Sequence, residues 1–425
     1  MHLATTVCAH APRAESHSIE LRNGVTCRSV ARSVPFVKGR SSMTLSIPFG
    51  DNALALSFAG SRHKFLSATC TPDAFSDCLL QLVAASSSEP VPLGVLRLVV
   101  AVSNQEQLHG ILEQLTKDFP ALLCRAEVVV QPPFSGQLQL SAWLVDQAGI
   151  ANEASSNSSP AALQWLFSAS NDLVPSNAQV ASVFSRQFYD GMTLGHAQGH
   201  TPDDLLRAWI YIGNITQGRH DETPYQQVNA ARRDVFQEVG IGKGTVGSPF
   251  PASTGIGTQG TSLTLGLLSC RTRSGMRLVA LENRRQTSAF HYPKEESLIA
   301  PLFSRAVAIL GGAQAMVFVS GTASIVGAKS VHLGDIEQQT RQTLENIGNL
   351  LCARLLSDYD CYPAVSGLES IVSYTVYIKH RKDFALVRAV CAALLPDRAV
   401  ASFVEADVCR TELLVEIEAI AVMPE

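Results

Sequence analysis

A chain of 425 residues, 46% of them hydrophobic and 16% charged, has the length for two or three domains and enough apolar content to exclude a disordered polymer. A formal net charge of −4 with no long run of Lys or Arg excludes a nucleic-acid footprint, and no apolar stretch reaches the roughly 18 residues that span a bilayer. The ten cysteines are scattered without a Cys-x-x-Cys pair or zinc-site spacing, which points to a reducing, cytoplasmic setting and to no bound metal.

Residues 1–42 mix Ala, Ser, Arg and His without periodicity or a secretory apolar core and read as a disordered extension. Glu15 and Glu20 count against an organellar transit peptide, and a start codon upstream of the true one fits equally well, because strand pattern begins just after Met43. A first domain, 43–190, is expected to hold short strands at 44–48 and 53–58 and a helix at 73–85. A strand at 95–102 follows, then a helix at 104–118 capped by Asn104, and strands near 126–130 and 138–145. Residues 149–170, rich in Ala, Ser and Asn, read as a loop.

The second domain, 191–425, opens with two helix-start signals. Thr201, Pro202, Asp203 and Asp204 predict a capped helix with Leu205, Trp209 and Ile212 on its apolar face; Thr223 and Pro224 predict another, stopped by Gly240. Strands are expected at 262–269, 276–281 and 316–319. The chain then repeats the element order of the first domain: a helix from the Asp335 cap to about 356, a strand at 371–378, a helix near 383–395 and strands at 401–406 and 413–422. Matching 142–145 to 419–422 puts Gln139 opposite Glu416, so the first copy lacks the acid and the chemistry is expected in the second.

The last strand is the most informative stretch. Val415, Ile417, Ala419 and Ala421 share one face; Leu414, Glu416, Glu418 and Ile420 share the other. Pattern alone leaves two readings, buried carboxyls able to donate a proton near neutral pH or solvent-facing edge residues. Gly242-x-Gly244-x-x-Gly247 is formally a dinucleotide fingerprint, but it follows a helix and runs into Pro249 and Pro251, so it reads as a substrate-lining loop without a nucleotide. The small residues 320–327 form either a loop that approaches a ligand closely or a tight turn. Each scattered arginine is a surface charge or a carboxylate ligand, and Cys409 is by default an inert thiol. No serine triad or metal-ligand spacing stands out.

Several stretches together resemble the chorismatase family, whose catalytic domain is similar to the RidA/YjgF-like fold. They are Leu205-Leu206-Arg207-Ala208-Trp209, Tyr225 to Arg232, Pro251 to Gly257, Asn283-Arg284-Arg285-Gln286, His291-Tyr292-Pro293, Phe303-Ser304-Arg305-Ala306, Ser320 to Gly327, and Ala406 to Arg410 running into Val415-Glu416-Ile417-Glu418. The resemblance covers 201–422 well and the first domain by element order. It implies an α+β protein of two RidA/YjgF-like units, the N-terminal one degenerate, assembled as a homotrimer. It also implies cleavage of chorismate with release of pyruvate, with neither organic cofactor nor metal. Glu416 falls on the family's catalytic glutamate and would protonate the enolpyruvyl methylene carbon. Arg232 falls on a binding arginine, with Arg219 and Arg285 as weaker candidates, and Tyr225, Ser320, Gly321 and Ala323 would line the pocket. Cys409 matches members that form 3-hydroxybenzoate, some with 4-hydroxybenzoate, whereas hydrolytic members carry a smaller residue there and give a dihydroxycyclohexadiene carboxylate. The chain departs from the family pattern at Arg284, Phe290 and Ala231. Rival readings are chorismate hydrolysis without aromatisation, a non-catalytic small-molecule-binding protein that kept the fold, and a RidA-type imine deaminase.

Overall fold

The computed structural model describes residues 53–87, 92–151, 163–174, 176, 179–219, 222–242 and 250–424. The extension 1–42, the strand expected at 44–48, and Gly244 and Gly247 of the glycine-rich stretch lie outside the described residues.

The first sheet is built from β1 (Ala53–Phe58), β2 (Ser61–Cys70), β3 (Leu93–Val102), β4 (Ala126–Val130) and β5 (Leu138–Asp146), in the order β1-β2-β5-β3-β4. Only β3 and β4 pair in parallel. Helices α1 (Phe75–Ser87) and α2 (Gln105–Asp118), with the single-turn α3 (Pro120–Leu123), make the connections that parallel pairing requires. Asn104 caps α2 as expected, its side chain accepting from the Gln107 N–H. Leu79, Leu82, Leu108, Ile111 and Leu115 bury one face of the sheet.

A second sheet follows, with β6 (Gln164–Leu173), β7 (Leu205–Gly213), β8 (Ala252–Thr258) and β9 (Ser262–Arg271) in the order β6-β9-β7-β8. It is covered by α4 (Val180–Ala197) and α5 (Pro224–Val239). Three expectations change here. The domain boundary placed at 190/191 falls inside α4, a helix that packs on β6 and β9 from either side of that point. The helix expected after Thr201 is one 3-10 turn, Pro202–Asp204, closed by a capping box between Thr201 and Asp204, and then strand β7. All nine residues of β7 are buried, Ala208, Ile210 and Ile212 under the helices and Trp209 and Tyr211 on the opposite face. A segment buried on both faces loses the alternation that marks a strand. The expected loop at 149–170 likewise ends in β6, where Trp165 and Phe167 are buried.

The third sheet holds β10 (Arg277–Leu281), β11 (Ala306–Gly311), β12 (Gln314–Thr322), β15 (Ile371–Ile378), β16 (Val400–Glu405) and β17 (Val415–Met423), ordered β10-β11-β12-β17-β15-β16. A small hairpin of β13 (Ile325–Val326) and β14 (Lys329–Ser330) stands beside it, and α6 (Ile336–Leu350), the short α7 (Ala353–Ser357) and α8 (Phe384–Leu394) complete the unit. The final strand therefore lies inside its sheet, between β12 and β15, and its nine residues are buried.

Each sheet turns its second face inward. Phe65, Trp143, Trp165, Trp209, Phe318 and Ile420 from all three meet in one shared core. The last parallel strand of each unit lies against a strand of another: β4 against β6, β8 against β12, and β16 against β2. One chain thus closes a ring of three sheets, the α+β architecture expected, with the threefold arrangement present before any second chain is added. The homotrimer implied by the resemblance concerns contacts between chains, a different level of assembly.

The ring has an internal register. The central strand pairs carry a bulge at matched places, between Val95 and Arg97, Leu205 and Arg207, and Ile371 and Ser373. Aligned on those bulges, Gln139, Thr264 and Glu416 are equivalent, as are Ser141, Gly266 and Glu418. The placement of Gln139 opposite Glu416 in sequence agrees with this register.

Candidate active site

A cavity of about 400 Å³ opens at the seam where β8 of the second sheet meets β12 and β17 of the third. Glu416 and Glu418 are 4% and 5% exposed, which decides between the two sequence readings in favour of buried acids. Glu416 faces the cavity; Glu418 lies behind it, bound by Arg207, Trp209 and Thr254. Burial pushes the Glu416 carboxyl up to about 8, with the Glu418 carboxylate adding to the rise and Arg207 and Arg305 opposing it. The acid therefore carries its proton at neutral pH.

Room for that carboxyl comes from a bulge between Val319 and Thr322 on β12. A Cβ at Gly321 would sit 2.0 Å from Glu416 Oε1, so only glycine fits. Ser320, in the same bulge, is fully buried and does not line the cavity. It donates to the Ser304 carbonyl (2.6 Å) and accepts from the Ser253 N–H (2.8 Å), tying β12 to its neighbours. Gly321 and Ala323 do line the cavity.

The cationic wall is only partly the expected one. Arg232, on α5, is 3% exposed, lines the cavity and donates to Asn229 Oδ1 (2.6 Å) and Ser253 Oγ (3.3 Å). Its Nε has no partner and burial lowers the guanidinium to about 10, the condition of a cation that lacks its anion. Arg219 is exposed at the rim, after Gly218, and does not line the cavity. Arg285 points to the surface and pairs with Glu345. Two arginines not singled out as ligands from the sequence take their place. Arg305 is 2% exposed, donates to Tyr292 Oη (2.5 Å) and the Thr287 carbonyl (2.9 Å), and keeps an unpartnered Nε. Arg410 bonds Glu296 (3.3 Å) and the Ala328 carbonyl (3.0 Å) and keeps an unpartnered Nη2. Arg305 lies in one of the stretches that resemble the family, and the buried strand that begins at Ala306 was a second signal, since a residue adjoining it inherits its burial.

Tyr225 and Cys409 line the same cavity. Burial, then Glu416, pushes the Cys409 thiol up to about 12, so it stands beside the acid as a neutral group. Of the departures from the family pattern, Arg284 lies on the surface paired with Asp358, and Phe290 packs on Phe250. Ala231 is buried within α5. Among the described residues no cluster of His, Cys, Asp and Glu has the form of a metal site, and no helix is long and apolar enough to cross a membrane.

Comparison with known proteins places this geometry. Residues 142–269 match the family model described as "Chorismatase FkbO/Hyg5-like, N-terminal", and residues 297–423 match "Endoribonuclease L-PSP"; these are largely the second and third units. A 3-hydroxybenzoate synthase of Streptomyces hygroscopicus is 34% identical over 221 residues, 51% of this chain and 63% of that protein. A chorismatase of Streptomyces rapamycinicus is 33% identical over 246 residues, 57% of this chain and 70% of that protein. The matched regions thus span about two thirds of these relatives. A crystal structure of a chorismatase superimposes with a TM-score of 0.60 at 25% identity, covering 77% of this chain and 92% of the other.

Proposed function

The chain belongs to the chorismatase family, and from that premise we propose that it cleaves chorismate to 3-hydroxybenzoate and pyruvate. The observation that carries this reading is a buried, proton-bearing Glu416 opening into a cavity walled by Arg232, Arg305 and Arg410, each of which keeps a buried nitrogen without a partner. Glu416 donates its proton to the methylene carbon of the enolpyruvyl group. The vinyl ether becomes an oxocarbenium ion, its ring C–O link becomes labile, and the side chain leaves as pyruvate. The ring cation left behind takes up water, whose released proton restores Glu416, and the resulting dihydroxy acid loses a molecule of water as it aromatises, so the net reaction consumes none. A general acid in this position supplies about 10²–10⁴-fold in rate.

Arg232 receives one substrate carboxylate, and Arg305 with Arg410 forms the second anionic subsite; guanidinium forks suit planar carboxylates. Cys409, neutral and next to Tyr225, steers the ring intermediate toward loss of water. No step requires a metal or an organic cofactor.

Pure protein incubated with chorismate, followed by chromatography, tests the reading. Equal amounts of pyruvate and 3-hydroxybenzoate are expected. Pyruvate with a non-aromatic dihydroxy acid would make the chain a hydrolase, and no pyruvate would make it a binding protein. Cys409→Ala is expected to lower the aromatic fraction of product; an unchanged 3-hydroxybenzoate yield would remove the steering role.

A further inference from the structure

Glu418 is two residues from Glu416 on the same face of β17, yet it does not line the cavity. Three donors hold its carboxylate: Arg207 Nη2 at 3.0 Å, Trp209 Nε1 at 3.0 Å and Thr254 Oγ1 at 2.5 Å. Arg207 is 1% exposed and is fixed in turn by the Val319 carbonyl and by Thr254 Oγ1 at 2.8 Å. The Thr254 hydroxyl also accepts from the Gly321 N–H at 3.1 Å, and Gly321 is the residue against which the Glu416 carboxyl lies. A continuous polar chain therefore runs Arg207, Glu418, Thr254, Gly321, and ends on the wall of the acid.

The other two seams show that this chain is no general requirement of the ring. At the positions equivalent to Glu418 stand Ser141 and Gly266. At one of them the Ser141 hydroxyl meets Ser402, and at the other Gly266 yields its space to the Glu127 carboxyl from the opposite strand, so a carboxylate carried by the equivalent strand itself stands beside Glu416 and at neither other seam.

We propose that Glu418, anchored by Arg207, Trp209 and Thr254, is the positioning residue of the active site, setting an ion-paired carboxylate next to Glu416 on the same strand face and holding, through Thr254, the Gly321 bulge that shapes the acid's berth. This rests on the reading of Glu416 as the proton donor. The groups facing Glu416 from the elements around it are Arg207 on β7, Tyr225 on α5, Arg305 ahead of β11, and Cys409 ahead of β17. Arg232, Arg410, Glu296 and Glu412 share the cavity. Glu418 is the nearby carboxylate that raises Glu416, while Arg207 and Arg305 act against it. Removing the charge of Glu418 alone leaves the cations unopposed, so Glu416 would release its proton at lower pH and the acid form would be lost earlier.

The test is the pH dependence of kcat/KM, which reports the free enzyme, for wild type, Glu418→Gln, Glu418→Asp and Glu416→Gln. The wild type is expected to lose activity as pH rises through about 8. In Glu418→Gln that alkaline limb is expected to move down by about one pH unit, and in Glu418→Asp it stays near the wild-type position. An unmoved limb in Glu418→Gln, with Glu416→Gln inactive, overturns the proposal and leaves Glu416 as the acid. A Glu416→Gln enzyme as active as wild type overturns the underlying reading instead. Thr254→Val supplies a second measurement should Glu418→Gln not fold. It breaks the bridge to Gly321 while sparing the charge, and kcat is expected to fall about tenfold with KM within about twofold; an unchanged kcat rejects the positioning role.

Discussion

At the seam between the second and third sheets, Glu416, Glu418, Thr254 and Arg207 stand beside a cavity of about 400 Å³. At the seam between the third and first sheets the matched positions hold Gln139, Ser141, Ser402 and Ser373, and the cavity they line, shared at the centre of the ring with Arg97, Arg207 and Glu418, is about 60 Å³. The hydroxyls of Ser141 and Ser402 meet at 2.7 Å, and Gln139 donates to Ser67 at 3.2 Å. Neutral groups meet here without an ion pair, and Gln139 keeps one buried oxygen without a partner. The first seam is a third solution, with Arg97 in the place of Arg207 but its acid, Glu127, on the opposite strand in the place of Thr254. Gly266 there makes room, since a Cβ would lie 2.0 Å from Glu127 Oε1. The comparison teaches that each buried acid of this ring comes with an arginine at one fixed position, and where that arginine is serine the acids are gone. What sets the active seam apart is a second acid, Glu416, for which Arg207 is already engaged.

The sharpest way to break the comparison is Glu416→Gln, which gives the active seam the side chain of the silent one. Turnover of chorismate, followed by pyruvate release, is expected to drop about 10²–10⁴-fold with the fold intact by circular dichroism; a rate close to wild type would end the argument. Arg232→Ala should raise KM about 10–100-fold, the worth of one charge-assisted contact to a carboxylate, and steady-state kinetics reads it directly. The reverse exchange, Gln139→Glu, puts an acid at a seam without its arginine. It is expected to yield no second activity and to destabilise the protein by about 2–4 kcal/mol at pH 7, less at pH 4 where the carboxyl is protonated, measured by urea unfolding. Smallest is Arg285→Ala: its ion pair with Glu345 is about half exposed on both sides, so activity within about twofold of wild type and a stability change under about 1 kcal/mol are expected.

Much of the second and third units could be read directly. Asp335 caps α6 with its side chain on the Gln338 N–H, Thr223 caps α5, and Gly240 stops it with φ of 87°, because caps and left-handed stops depend on a few neighbouring residues. β7 could not be read this way. Thr201 gives a true capping signal, but one turn later both faces of the segment are buried, so local chemistry and tertiary burial point to different elements. The site divides along the same line. Glu416, Arg232, Tyr225, Gly321 and Ala323 meet at one cavity, whereas Arg219 and Arg285 were chosen by residue type and lie outside it. Arg305 and Arg410 enter because loops from different parts of the third unit fold over the same opening.

The sequence by itself determined the α+β class, the alternation that places Glu416 and Glu418 on one face, and the equivalence of Gln139 with Glu416, because each follows from period, spacing or order along the chain. Only the tertiary structure decided that β17 is central in its sheet, that three sheets close a ring, and that Glu416 opens into a cavity lined by buried arginines. Burial, and with it the proton on Glu416, is a property of what packs on both faces of a strand. Those neighbours come from residues as distant as Arg207 and Thr254, which no local pattern brings together.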